Sequence, residues 1–203
     1  MMSARLSLLA ACASAGLAAC AGSAAPGPRP EPGGANPPAA ANATYAYYDV
    51  TGTTVAELRT AMRQLGPPEG FGRTRWDLSW TARWQPVAGG CRVTSAVVTL
   101  RSEVRLPRWE PGPDADAALV AQWRTFMENL RVHEHGHLEI AVAAVHEAER
   151  TLWRLEAPSC RIMQGAANQA AERVLATFRA RDRAYDTRTR HGFTQGAAWP
   201  LPS

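Results

Sequence analysis

Residues 130–140 read LRVHEHGHLEI, and within them His133-Glu134-His135-Gly136-His137 matches H-E-x-x-H. On an α-helix, residues four apart share a face, so His133 and His137 can hold one zinc ion together. Glu134 stands beside them, placed to take a proton from a water polarised by the metal. On both sides of the motif, Leu119, Trp123, Phe126, Leu130, Ile140, Ala141, Ala144, Ala148 and Leu155 fall on one helical stripe with the two histidines. Arg124, Glu128, Arg131, His135, Glu139, His146 and Glu149 fall on the opposite side. The pattern predicts one long helix over about 115–156, capped by Asp114 or Asp116 and broken by Pro158. Two histidines and a glutamate on a buried stripe are costly without a partner, and a divalent cation supplies one. His135 and His146 are expected to face solvent. Gly136 weakens a helix by about 1 kcal/mol against alanine; a close approach by the edge strand of a sheet is the expected reason for it.

Upstream, Tyr45 to Val50 reads as a strand by its aromatic and β-branched content. Thr53 or Thr54 then caps a helix carrying Val55, Leu58, Met62 and Leu65, which Gly66-Pro67-Pro68 stops. Residues 74–86 alternate, with Trp76, Leu78, Trp80, Ala82 and Trp84 on one face. This predicts a half-buried antiparallel strand whose tryptophans belong to a core rather than to a sugar platform. Ala88-Gly89-Gly90 is a hairpin turn, and a second long strand is expected from Arg92 to about Leu106, ended by Pro107. The sheet is therefore expected to be small and antiparallel, of about three strands. The fold class is α+β, with that sheet packed on the long H-E-x-x-H helix and on an antiparallel C-terminal helix.

A catalytic zinc needs a third protein ligand and an open position. A last helix is expected over about 162–185, packing through Ile162, Ala166, Val174, Leu175 and Phe178, followed by an irregular tail from Asp186 to Ser203. The turn near 157–161 makes the two helices antiparallel, so positions whose numbers sum to about 318–320 face each other. His137 then lies opposite 182 and His133 opposite 186. Glu172 falls about 15 Å along the helix from the metal, which argues against the arrangement of thermolysin-like enzymes. The longer H-E-x-x-H-x-x-G-x-x-H pattern fails as well, because Ile140 and Ala143 stand at its last two fixed positions. His191 is the expected third ligand and Asp186 the alternative. Whichever of them is not a ligand can orient a ligand histidine or stabilise an oxyanion, a role also open to Tyr185.

The N-terminus carries Arg5 and an apolar stretch from Leu6 to Ala19 that ends in Leu17-Ala18-Ala19-Cys20. This resembles a bacterial lipoprotein signal, with residues 1–20 as signal peptide and lipobox and with Cys20 lipidated. The implied location is the cell envelope, on an outer membrane facing the periplasm. Residues 21–43, rich in Pro, Gly and Ala, form a tether with a reach of at most ~70 Å, and the domain spans 44–203. With Cys12 lost and Cys20 acylated, Cys91 and Cys160 remain, and in an oxidising compartment they read as one disulfide. The formal charge is +4 and every basic residue is arginine, dispersed from Arg29 to Arg190. Nucleic-acid binding would need a basic stripe, so none is expected.

Tyr48-Asp49-Val50, Trp76 to Trp84, Gly90-Cys91-Arg92-Val93, Leu106-Pro107-Arg108-Trp109, the 133–137 motif, and Tyr185-Asp186 through Thr189-Arg190-His191-Gly192 to Gln195-Gly196 stand in an order that is specific as a set. In these the chain resembles a family of uncharacterised bacterial secreted proteins described as zinc-dependent proteases (domain of unknown function 922). The resemblance implies a zincin-like fold and a metallopeptidase, with His133, Glu134 and His137 carried over. The expected activity is hydrolysis of a peptide or protein substrate, with Zn2+ as cofactor, Glu134 as general base, and the 92–106 strand as an edge that binds extended peptide. The alternative is a non-enzymatic zinc-binding envelope lipoprotein whose site is closed by His135, Asp182 or Asp186.

Overall fold

The computed structural model describes residues 43–201. The expected signal peptide, Cys20 and all but the last residue of the tether lie outside the described residues. Among the described residues the elements are β1 (Thr44–Val50), α1 (Val55–Leu65), β2 (Arg73–Val87), β3 (Gly90–Trp109), α2 (Ala117–Trp153), β4 (Glu156–Ala157), α3 (Cys160–Thr189) and a 3-10 turn (Phe193–Gln195). The class is α+β, as expected. No helix among the described residues is long and apolar enough to cross a membrane.

The sheet is mixed rather than antiparallel. Its strand order is β1-β3-β2, with β1 parallel to β3, β2 antiparallel to β3, and the two-residue β4 added against the start of β3. α1 and β2 intervene between β1 and β3, which gives the chain the length a parallel pairing requires. Two expectations for β3 fail with this topology. It is the central strand, not an edge. It also runs through Pro107, because β2 begins opposite Arg105 and the last residues of β3 pair with β1 alone, where a missing N–H is tolerated.

The β2–β3 hairpin holds the alternation read from sequence, and the register shifts between Arg83 and Trp84, whose partners are Ser95 and Val93. The extra residue is Thr94. Before it the core side chains of β3 are the odd-numbered Cys91 and Val93; after it they are Ala96, Val98 and Leu100. One unpaired residue thus switches which parity faces the helices. Trp76 and Leu78 are buried against α2 and α3, and Trp80 donates from Nε1 to Asn168 Oδ1 at 3.2 Å, which gives the tryptophan face its core role.

α1 begins with a capping box: Glu57 N donates to Thr54 Oγ1, and Thr54 N donates to Glu57 Oε2. α2 is fixed at its start by Asp116, whose carboxylate accepts from Leu119 N at 3.0 Å. Its N-terminal half packs with β1, α1 and the end of β3 through Trp123, Phe126 and Leu130. Its C-terminal half packs with β2 and α3 through Ala141, Ala144, Ala148 and Leu152. His133 and His137 sit where these two apolar clusters meet.

Two expectations for the C-terminus are corrected. α3 buries Met163, Ala167, Ala170, Ala171 and Phe178, while Ile162 is exposed. α3 also runs on to Thr189, so Asp186 belongs to the helix; the tail beyond is irregular apart from the 3-10 turn, and it is packed: Trp199 is 3% exposed, sits 5.4 Å from the Trp123 ring and 5.3 Å from the Phe126 ring, and donates to Val55 O at 2.9 Å. The expected disulfide is present, with Cys91 and Cys160 Cα atoms 5.0 Å apart. It ties the start of α3 to β3 across 69 residues, a closure that stabilises by about 4 kcal/mol on the chain-entropy model.

Candidate metal centre

The α2–α3 pair places side chains in the expected antiparallel register. His137 meets Asp182, with Nδ1 and Oδ1 2.8 Å apart, and His133 meets Asp186, with Nε2 and Oδ1 3.3 Å apart. The Nε2 of His137 reaches the same Asp186 oxygen at 3.1 Å. The other nitrogen of His133, Nδ1, lies 2.9 Å from Gln195 Oε1. Each ring therefore has an outer nitrogen held by a side-chain oxygen and an inner nitrogen aimed at one carboxylate. A neutral imidazole has one N–H and can serve only one of its two oxygens. Protonated His137 serves both of its oxygens in the metal-free site; a divalent cation at the inner position would replace the inner protons, leaving the Nδ1 protons with Gln195 and Asp182 and both Nε2 lone pairs and the carboxylate available as ligands. The chemistry of the donor set thus fits zinc. Among the described residues, His133, His137 and Asp186 form a group of three whose donor atoms lie within 4.8 Å of one another.

The structure brings Asp186 into that group and leaves His191 outside it. His191 is one step away, its Nδ1 3.5 Å from Asp186 Oδ1 and its Nε2 3.9 Å from Glu69. Arg190 and His191 both adopt left-handed backbone, at φ 51° and 52°, which turns the chain sharply off α3 and sets His191 on the rim of the cleft. The cleft has a volume of about 380 Å³, and the 67–72 loop forms its other wall. Glu172 takes no part in it, as the register requires.

Glu134 is 2% exposed, between the metal helix and the start of β2. Thr74 donates from Oγ1 to Glu134 Oε2 at 2.7 Å, so the carboxylate has a fixed orientation. Burial pushes its pKa up, against the pull of the Thr74 hydrogen bond and of both histidines. A β-carbon on Gly72 would overlap this carboxylate, so only glycine lets the 67–72 loop close over it. Burial alone would lower the pKa of His137; its hydrogen bonds to the Asp182 and Asp186 carboxylates outweigh it and raise it to about 9. Burial would raise the Asp186 carboxyl, but hydrogen bonds from His133 and His137 hold it far below the usual carboxylate range.

Tyr185 does not line the cleft. Its ring stacks on His133 at 5.1 Å and meets His137 edge-on at 4.9 Å. Its hydroxyl is engaged by His133 O and by the Gln195 amide, on the side of α2 away from the cleft. It fixes the two rings instead. It also explains Gly136, for which an edge strand was the wrong expectation: a β-carbon there would overlap the Tyr185 hydroxyl and ring. Gly136→Ala should therefore destabilise the protein by about 1–3 kcal/mol through overpacking, despite alanine's helix propensity, and a thermal melt would show it. An unchanged or raised melting temperature would mean that Tyr185 moves freely. His135 is 56% exposed beside Glu139, as expected for the outer face.

Gln195 and Thr74 carry no role legible in the sequence. Gln195 lies in a 3-10 turn sixty-two residues from His133, and its only signal is its place in the Gln195-Gly196 pair of the ordered motifs. Nothing in the alternation of β2 marks Thr74.

A model of the family described as a bacterial protein of unknown function (DUF922) matches residues 45–192. The chain belongs to this bacterial family. No curated protein and no solved structure matches it.

Proposed function

We propose that the chain is a zinc-dependent metallopeptidase with a zincin-like site. The observation that carries the reading is the convergence of His133 Nε2, His137 Nε2 and Asp186 Oδ1 beside the buried, oriented Glu134 carboxylate at the base of a cleft. When bound there, zinc would act as a Lewis acid toward a peptide carbonyl and would acidify water. His133, His137 and Asp186 would hold it. Asp182 and Gln195 keep the protons on the outer ring nitrogens, so the inner nitrogens stay available as donors. Glu134, with its pKa raised by burial, accepts a proton from the attacking water and passes it to the leaving amine. His191, freed from a ligand role, is placed on the rim to donate to the carbonyl oxygen as negative charge develops. The peptide itself has an edge to pair with. With β3 central, that edge is β2, whose first residues, Arg73 and Thr74, border the cleft.

A closed, non-catalytic zinc site would need a fourth ligand from His135, Asp182 or His191; His191 stands outside the group of three, its Nδ1 3.5 Å from Asp186 Oδ1. His135 points out from the far side of α2, and Asp182 is spent on His137 Nδ1, so the geometry favours the catalytic reading. The disulfide supports an oxidising compartment; with the Leu17 to Cys20 sequence, a lipid-anchored envelope protein is the location that fits. The test is metal dependence read against pH. Chelation should abolish peptide hydrolysis, and one equivalent of zinc should restore it. The proton on His137 must leave when zinc binds, so apparent zinc affinity should fall roughly tenfold per unit as pH drops below about 9. The metal-free fold should follow the opposite trend: the raised pKa is expected to stabilise it fully below about 6.5, with that contribution lost as pH rises through 9. Calorimetric titration of zinc at several pH values would check this, and affinity independent of pH, or hydrolysis insensitive to chelation, would overturn the assignment.

A further inference from the structure

The cleft does not end at His191. It continues past Pro67, Pro68, Gly70 and His191 into a second groove of about 620 Å³, between α1 and the chain that leaves α3. The groove itself carries guanidinium groups and no carboxylate, while the carboxylates of the path, Glu69, Glu134, Asp182 and Asp186, all line the cleft. Arg59 and Arg63, one turn apart on α1, line the groove together with Arg190, and Arg73 and Arg183 line the cleft itself. All five are exposed, and among the described residues no ion pair or side-chain hydrogen bond engages any of their guanidinium groups. Other arginines are engaged: Arg108 with Asp49, Arg150 with Glu147, and Arg179 with Asp77. Outside the metal-site carboxylates the only acidic residue on the path is Glu69, which leans on His191. The groove also carries Phe193, 52% exposed at the edge of the arginine set.

Three unneutralised guanidinium groups, Arg59, Arg63 and Arg190, around a groove with no carboxylate in its lining raise the local potential there, and an acidic chain laid in it would gain attraction on arrival and in the bound state. We infer that the substrates are acidic peptides, whose Asp or Glu side chains next to the bond to be cut are held by Arg63 and Arg190 in the groove beyond His191. This rests on the peptidase reading for what happens to the peptide, but not for how it is bound. The flat guanidinium plane suits a carboxylate through paired N–H donors, and Phe193 gives an aromatic or aliphatic neighbour on the peptide a surface to cover.

Binding can be measured without turnover. The zinc-loaded full chain carrying Glu134→Gln would be titrated with two fluorescent decapeptides, identical except that two adjacent Glu in one are Gln in the other. The Glu peptide is expected to bind roughly tenfold tighter at low ionic strength, and the ratio should shrink as salt is raised. In the double variant Arg63→Gln/Arg190→Gln the ratio should fall close to one. Arg161→Gln, which removes the same kind of charge at the other end of α3, should leave the ratio in place. Equal affinity for the two peptides, or an unchanged ratio in the double variant, would overturn the inference. If the Glu peptide binds as expected and the wild-type zinc-loaded chain does not cut it, the acid-selective groove stands and the peptidase reading falls. If both peptides are cut with equal kcat/KM, the peptidase stands and the groove assignment falls.

Discussion

Glu134→Gln is expected to lower kcat for peptide hydrolysis by about 10²–10⁴-fold, the range that a positioned general base contributes, with zinc still bound at one per chain. The substitution suits this site. The amide keeps the shape of the carboxylate that Gly72 closes over, and its oxygen can still accept from Thr74 Oγ1, which now reaches Glu134 Oε2 at 2.7 Å. What it removes is the proton acceptor. Burial raises the pKa of Glu134, so its charge is costly to the fold, and a neutral amide should leave the thermal midpoint unchanged or slightly higher. The two readouts move in opposite directions, which separates loss of chemistry from loss of structure. Steady-state kinetics, metal content and a melt on the same preparation make the check; full activity in a zinc-loaded Glu134→Gln chain would end the proposed mechanism.

Replacing Asp186 with alanine should weaken zinc binding by roughly 10³-fold or more, while His191→Ala should cost no more than about tenfold, the lower part of the range for residues that only support ligands. The difference comes from where the donor atoms stand. Asp186 Oδ1 lies 3.1 and 3.3 Å from the two inner ring nitrogens, and His191 Nδ1 lies 3.5 Å from Asp186 itself. Asp186→Ala also leaves two inward-facing imidazoles with no oxygen between them, so the metal-free variant should lose the part of the stability that Asp186 supplies by raising the pKa of His137, while Asp182 keeps its own part. Competition with a chelator of known affinity would measure both variants. If His191→Ala releases zinc and Asp186→Ala keeps it, the third ligand is the histidine, and the site must rearrange on loading.

Much of the frame was legible because it depends on local periodicity. The stripe from Leu119 to Ala148 is one helix because apolar residues at 3.6 spacing have only one way to share a face, and the alternation around Trp76 and Leu78 is one strand for the corresponding reason. The facing of His137 with Asp182 and of His133 with Asp186 was also within reach, since a short turn between two helices sets their register by simple counting. Where a reading depended on strand pairing between distant segments it failed, whereas the disulfide was legible because only two cysteines were left to pair. β1 gives no sign in its own residues of whether it lies parallel or antiparallel to a neighbour, so the mixed sheet and the central place of β3 were out of reach. Pro107 looked like a strand end because the missing neighbour that makes it tolerable belongs to β2. The packing of the tail was hidden because Trp199 has no periodic context, and its partners Trp123 and Phe126 lie more than seventy residues away.

The same division runs through the candidate site. Sequence alone determined the helix, the face that carries His133, Glu134 and His137, and the neighbourhood from which a third donor must come, because each follows from helical geometry acting over a few residues. Only the tertiary structure chose Asp186 over His191 as the atom between the two rings, gave Gln195 and Thr74 their roles, and placed Tyr185 as the wall that makes Gly136 necessary. Those outcomes turn on contacts between segments 49 to 62 residues apart, and no local pattern in the chain encodes such distances.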